Sequence, residues 1–378
     1  MIRCSSSTAG RPICGFWTWK QCKRCPGFLG RIRSSNGSLG PSGWLVGCNF
    51  IPSTAENDLE MWQADTFDPK TIDRELGRAQ GLGFNCVRVF LHNLLWQQDS
   101  KGFLDRMDQF LAIADKHHIK VTFVIFDSCW DPDLKLGPQP PPRPQVHNSR
   151  WVQCPGREYM AHPEQLDELK PYAQGVIGHF RDDKRFAFWD VYNEPSNLNG
   201  NSYQKEEPPN KQESALLLLK KTFAWVREMK PEQPLTSGVW DHWSNPGTTA
   251  ATEITKIQLG ESDIITFHDY GNVKHFERTF QDLRRYGRPL VCTEYTVRLT
   301  GTFNPILGYF REQNVGALNW GLVSAKTQTI YPWDSWEKTC TNESPVWFHD
   351  IFHKDGAPYR PAEVEYIRSI TIGKAKTP

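Results

Sequence analysis

Trp189-Asp190-Val191-Tyr192-Asn193-Glu194-Pro195 and Leu290-Val291-Cys292-Thr293-Glu294-Tyr295 are the two segments on which the reading of this chain turns. Each is an apolar run of strand character that ends on a glutamate. A carboxylate at the end of a buried strand is costly unless it is paired or used.

Working outward, similar apolar runs recur along the chain. The candidate strands are 44–50, 85–91, 120–126, 186–192, 235–239, 264–268, 290–294 and 315–320. Helical patterns lie between them. The first has Asp68 as N-cap, Pro69 in the first turn, and Ile72, Leu76 and Ala79 on one face. The second places Leu104, Met107, Leu111 and Ala114 on one face, and the third runs from Pro163 through Leu166, Leu169, Ala173, Val176 and Phe180. Further helices are expected at 214–229, near 276–286, near 304–313 and at 361–370, with a short, weakly patterned one near 252–259.

Near-continuous apolar strands, each followed by a helix, argue a parallel sheet covered on both faces. Eight of them argue closure into an α/β (β/α)8 TIM barrel. The rival, an open doubly wound sheet, lacks a Gly-rich phosphate loop after any strand. The barrel is expected over 43–378, with 1–42 as an N-terminal extension rich in Ser, Gly, Arg and Cys, partly ordered or disordered. Two loops are too long to be connectors. One follows the third strand, from Asp127 to about Pro163; the other follows the eighth, from Gly321 to about Pro358. Both leave the strand ends where a barrel builds its site, and both carry tryptophans: Trp130 and Trp151, then Trp333, Trp336 and Trp347.

Composition sets bounds. The chain has 378 residues, 38% hydrophobic and 23% charged, which supports a sizeable core and excludes global disorder. A net charge of +1 demands neither nucleic acid nor an anionic membrane as partner. No apolar run reaches the length that spans a bilayer. Oligomeric state is not legible. Residues 1–20 lack a continuous apolar stretch, so the expected location is cytoplasmic; a removed leader or a different start would make it secreted or periplasmic. Of 10 cysteines, Cys48, Cys86 and Cys292 sit in apolar runs as buried free thiols. Cys4, Cys14, Cys22 and Cys25 form a separate cluster; its irregular spacing favours free thiols over a zinc site. Lys116-His117-His118 ends a helix, where cationic side chains suit the dipole, and is not taken as a metal site. No cofactor or metal is expected.

In a closed eight-strand barrel Glu194 and Glu294, at the ends of the fourth and seventh strands, share one mouth. Two carboxyls of divided role, one protonated and one ionised, are the equipment of glycosidic bond cleavage. Structural ion pairing would suffice for one isolated glutamate, but not for two so placed. The tryptophan surplus, 15 in all, suits an enzyme that stacks sugar rings on indole faces.

With Asn193-Glu194-Pro195 after the fourth strand and Glu294 ending the seventh, the chain resembles clan A of the glycoside hydrolases, and most the cellulase-type family 5. The resemblance runs from about Trp44 to Ile370. It implies a retaining hydrolase of β-linked oligo- or polysaccharides, with Glu194 as acid/base, Glu294 as nucleophile and Asn193 as donor to the sugar 2-hydroxyl. It also implies Arg88, inside Val87-Arg88-Val89, as the cation that orients the nucleophile; a buried cation must in any case be paired. His268-Asp269-Tyr270 resembles the family's His-x-Tyr, with Tyr270 holding Glu294. Trp320 resembles the platform for the reacting sugar, and Trp240 is a second platform candidate. His92, Asp127 and Trp130 face the expected mouth as polar or stacking contacts, and Asn49 is a minor candidate. Where the family often has a His near the end of the third strand, this chain has Phe126-Asp127. The alternatives are a sugar-binding barrel without catalysis and a transglycosylase on the same scaffold. The sugar, the linkage and exo or endo action are not legible.

Overall fold

The computed structural model describes residues 43–133, 135–240, 247–338 and 340–373. The N-terminal extension and its cysteine cluster lie outside the described residues.

Eight parallel strands alternate with helices as the sequence predicts: β1 Val46–Asn49, β2 Cys86–Phe90, β3 Lys120–Val124, β4 Phe186–Asp190, β5 Leu235–Thr236, β6 Ile265–His268, β7 Leu290–Glu294 and β8 Gly316–Asn319. Their order is β5-β4-β3-β2-β1-β8-β7-β6. A bridge between Val239 and Phe267 joins the two end strands, with Val239 N donating to Thr266 O (3.1 Å) and His268 N to Val239 O (2.9 Å). The sheet therefore closes into a (β/α)8 barrel. All strands but β7 are shorter than their apolar runs, because flanking residues leave the ladder while, Trp320 apart, remaining buried.

The helices are α1 Asp58–Trp62, α2 Pro69–Gly81, α3 Asn93–Lys116, α4 Arg157–Ala161, α5 Lys170–Phe180, α6 Lys211–Glu228, α7 Thr249–Glu261, α8 Val273–Arg284, α9 Phe303–Glu312 and α10 Pro361–Thr371. Asp68 caps α2 by accepting from Thr71 N, with Pro69 in the first turn. The core lies in two shells. Ile72, Leu76, Phe110, Leu111, Val176 and Phe223 seal the helices onto the sheet. A separate cluster of Leu45, Cys86, Ala187, Phe188, Ile264, Val291 and Leu318 fills the barrel.

Three expectations need correction. The helix from Pro163 is two elements, a 3-10 turn at Pro163–Leu169 and then α5. Pro171 has no N–H to continue the ladder, so a new helix starts there. The second helix is kinked at Asp99, whose Oδ1 caps Gly102 N at 2.9 Å; Phe103 and Phe110, rather than Leu104, supply its buried face with Met107 and Leu111. The weak fifth helix spans a full 13 residues from the Thr248 cap. Its Ala and Thr content gives little contrast between faces. His117 ends α3 and pairs with Asp73 (2.7 Å) and Gln80 (2.9 Å).

Candidate active site

Arg88 decides the architecture of the barrel mouth. It projects inward from β2 and is fully buried, so its charge must be met inside the protein. Its Nη1 donates to Glu294 Oε1 (3.0 Å) and Asn49 Oδ1 (2.8 Å). Its Nη2 donates to Asp190 Oδ2 (2.9 Å) and Asn193 Oδ1 (2.6 Å), and its Nε reaches Asp190 Oδ2 as well (3.1 Å). Burial alone would lower the guanidinium's pKa; the carboxylates of Asp190 and Glu294 outweigh it and raise it. One cation thus holds the ends of β1, β2, β4 and β7 together.

Glu294 receives a second donor. Tyr270 Oη, just past β6, donates to its Oε2 at 2.7 Å. Burial pushes the Glu294 carboxyl above its usual range, and the charge of Glu194 adds to that; Arg88 and Tyr270 pull the other way. Tyr270 itself is pushed well up, chiefly by burial, and stays an O–H donor.

Glu194 faces Glu294 across His268. His268 Nδ1 lies 2.7 Å from Glu194 Oε1, and its Nε2 lies 3.5 Å from Glu294 Oε1. Burial holds this imidazole down, to about 4, so it is neutral near pH 7. A carboxylate oxygen of each glutamate and a ring nitrogen of His268 lie within 4.8 Å of one another. Glu194 has a left-handed backbone, φ 44°, a region that costs a non-glycine residue on the order of 1–3 kcal/mol and marks functional sites. Its Oε2 accepts from Asn197 Nδ2 (2.8 Å), and the Cys129 thiol lies 3.4 Å away. The Glu194–His268–Glu294 cluster is compact enough for a cation. However, His268, Arg88 and Tyr270 already occupy its oxygens, and Arg88 supplies the positive charge.

The site opens into a cavity of about 510 Å³ lined by Trp130, Asn193, Trp240, Tyr270 and Trp320 together with both glutamates. A second cavity, about 380 Å³, shares Glu194, Trp240 and Tyr270 and continues along α8. Trp320 packs edge-on to Phe90 and Trp151, with centroids 5.8 and 5.7 Å away. Trp240 is fixed by Ser196 Oγ at 2.9 Å.

Three sequence candidates sit differently from expectation. His92 does not face the mouth: its Nδ1 caps α3 at Leu94 N and its Nε2 meets Gln153 O. Asn49 lies behind Arg88, donating to Thr293 O (2.7 Å) and Asn319 O (3.2 Å). Asp127 lines the cavity, yet its oxygens accept from Trp151 Nε1 and Asn193 Nδ2 (each 2.8 Å) and from Cys129 N (3.0 Å), so it orients Asn193. Burial raises Asp127 to about 7.

Other residues of the site lack an obvious sequence signal. Asn197, Cys129, His147 and His349 come from loops whose course no periodicity encodes. Asp190 had a signal, since a charge inside the apolar run of β4 needs a buried partner, as Arg88 does. Trp333 and Trp336 line the cavity, whereas Trp347 is buried against Tyr359.

No protein-family model matches the chain, and no curated protein matches it. Solved structures do. The GH5_18 protein from Streptomyces cattleya, solved in complex with GlcNAc, is 14% identical over 88% of this chain and 81% of its own, with a TM-score of 0.61. The endo-β-1,4-mannanase from Thermotoga petrophila is 13% identical over 91% of this chain and 80% of its own, at 0.53. The β-mannanase from the blue mussel Mytilus edulis is 17% identical over 81% of this chain and 94% of its own, at 0.52. At these identities the likeness is one of fold, the (β/α)8 barrel.

Proposed function

We propose that the chain is a retaining β-glycoside hydrolase acting on β-linked oligo- or polysaccharides. The observation that carries this reading is the placement of Glu194 and Glu294, whose oxygens lie within 4.8 Å across one mouth. Retention needs carboxyls about 5–5.5 Å apart, and inversion about 6.5–9.5 Å.

Two carboxyls this close do not both ionise. Arg88 and Tyr270 both donate to Glu294, and on this reading the negative charge resides there. Glu294 attacks the anomeric carbon while Glu194 gives its proton to the leaving oxygen. A glycosyl ester forms on Glu294. Glu194, now ionised, takes a proton from water, and that water releases the sugar. Asn193, held between Arg88 and Asp127, is placed to meet the 2-hydroxyl, and Trp320 offers its face to the ring.

The sugar is drawn from glucose, mannose, xylose or galactose units. β-Mannosides come first, because the similar structures include proteins named as mannanases. A reducing, cytoplasmic setting is part of the proposal: the described cysteines are free thiols, and all but Cys340 are buried. Fractionation of the native source checks that setting. No described helix is long and apolar enough to cross a membrane.

The test is a panel of aryl β-glycosides and plant polysaccharides, with Glu294→Gln as the blank. Turnover of at least one substrate by the native chain and none by the blank is expected. Sugar binding without turnover on the whole panel would replace the hydrolase by a binding barrel.

A further inference from the structure

Cys129 sits on the loop after β3, beside the carboxyl that must give and take the proton. Its Sγ lies 3.4 Å from Glu194 Oε2. Burial pushes the thiol well up, and the charges of Glu194 and Asp127 push it further, so it stays an S–H group. A thiol is a weak donor, and Glu194 Oε2 is the acceptor within its reach among the described residues.

A second donor meets the same oxygen. Asn197 Nδ2 is 2.8 Å from Glu194 Oε2 and 3.2 Å from Cys129 Sγ. The hydrogen-bond network sets the orientation of this amide, because its Oδ1 accepts from Asn199 N at 2.7 Å. The N–H side therefore faces the carboxyl and the sulfur.

The backbone that carries Cys129 is fastened on both sides. Cys129 N donates to Asp127 Oδ1 (3.0 Å). Asn199 Nδ2 donates to Ser128 O and to Trp130 O (3.0 Å each), and the Lys211 ammonium donates to Ser128 O (2.9 Å). Asn199 is fully buried, with a left-handed backbone at φ 54°, a conformation in which Asn is enriched. Lys211 is fully buried too and pairs with Glu207. A buried ion pair and a left-handed asparagine thus converge on the loop that brings one thiol to the acid/base.

We propose, on the reading of the chain as a retaining glycoside hydrolase, that Asn197 and Cys129 are positioning residues for the acid/base: they hold the Glu194 carboxyl in place and stabilise the carboxylate that forms as its proton passes to the leaving oxygen. A carboxylate accepts more strongly than a carboxylic acid, so both hydrogen bonds strengthen during the first step. The other titratable groups around Glu194 are His268 and Tyr270 at the end of β6, Glu294 on β7 and Asp127 after β3, with Lys211 of α6 behind Cys129.

The test uses the full chain and two aryl β-glycosides, one with a 2,4-dinitrophenyl and one with a phenyl leaving group. Only the phenyl glycoside needs protonation in the first step. On it, Cys129→Ala should lower kcat/KM about fivefold and Asn197→Ala about tenfold; on the dinitrophenyl glycoside each should change it less than about twofold. Both rates are read in one preparation, so any loss of folded protein cancels from their ratio. Cys129→Ser keeps a donor and should restore most of the phenyl rate. The two donors favour the carboxylate, so removing one makes Glu194 a weaker acid. The basic limb of the kcat/KM profile, where the acid loses its proton, should therefore move to higher pH in both alanine variants. Equal losses on the two glycosides, an unmoved basic limb or no recovery by serine would overturn the proposal. Turnover of neither glycoside by the native chain, on any sugar of the panel, would overturn the hydrolase reading beneath it.

Discussion

Glu294 is held by two donors of different kinds, a buried guanidinium and a phenol. The phenol is the cleaner one to remove, because Arg88 also neutralises Asp190, and losing it would leave a buried charge unpaired. Tyr270→Phe removes one hydrogen bond to a charged group, worth about 1.5–3 kcal/mol, or roughly 10- to 150-fold in kcat/KM. The sign of its pH effect follows from the same bond. Tyr270 favours the ionised carboxylate, so its loss raises Glu294 further. The nucleophile works only when ionised, so the acid limb of the kcat/KM profile should move to higher pH. An unmoved limb would separate Tyr270 from the nucleophile. Glu194→Ala should retain turnover of substrates with good leaving groups, which need no protonation in the first step. Azide should then rescue it as the β-glycosyl azide; an α-azide would indicate inversion. Arg88 was legible because a cation in an apolar strand needs a buried partner, and Asp190 obeys the same logic. His92 misled because its place at a strand end does not say where its ring turns.

The strands and most helices were legible because period and capping chemistry are local. The strand ends were not, because burial continues past the last ladder bond. At Gly47 the register of β1 and β2 depends on a missing side chain: a Cβ there would sit 1.6 Å from Cys86 O. Gly47→Ala should force the pair apart and cost about 3 kcal/mol, the upper end of overpacking, read as a Tm drop of roughly 5 °C or more. Gly81, at the end of α2, has open space around it; Gly81→Ala should instead be neutral or stabilise by up to about 1 kcal/mol. Equal effects of the two would contradict the packing argument. The loops were legible in length alone. Their mutual bonds join residues far apart in sequence, as between Asn148 and Thr327, and no periodicity records such a pairing.

At the scale of the molecule, the barrel brings two strand-end glutamates 100 residues apart in sequence to one mouth, with Arg88 and Tyr270 both donating to Glu294. The central claim is that Glu294 becomes covalently glycosylated. The most direct measurement is mass analysis after incubation with a 2-deoxy-2-fluoro β-glycoside bearing an activated leaving group, matched to the sugar found in the substrate panel. The intact chain should gain the mass of one fluoroglycosyl unit, and digestion should place it on the peptide containing Glu294. An unmodified chain that nonetheless turns over the parent glycoside, releasing the α-anomer first, would contradict the account.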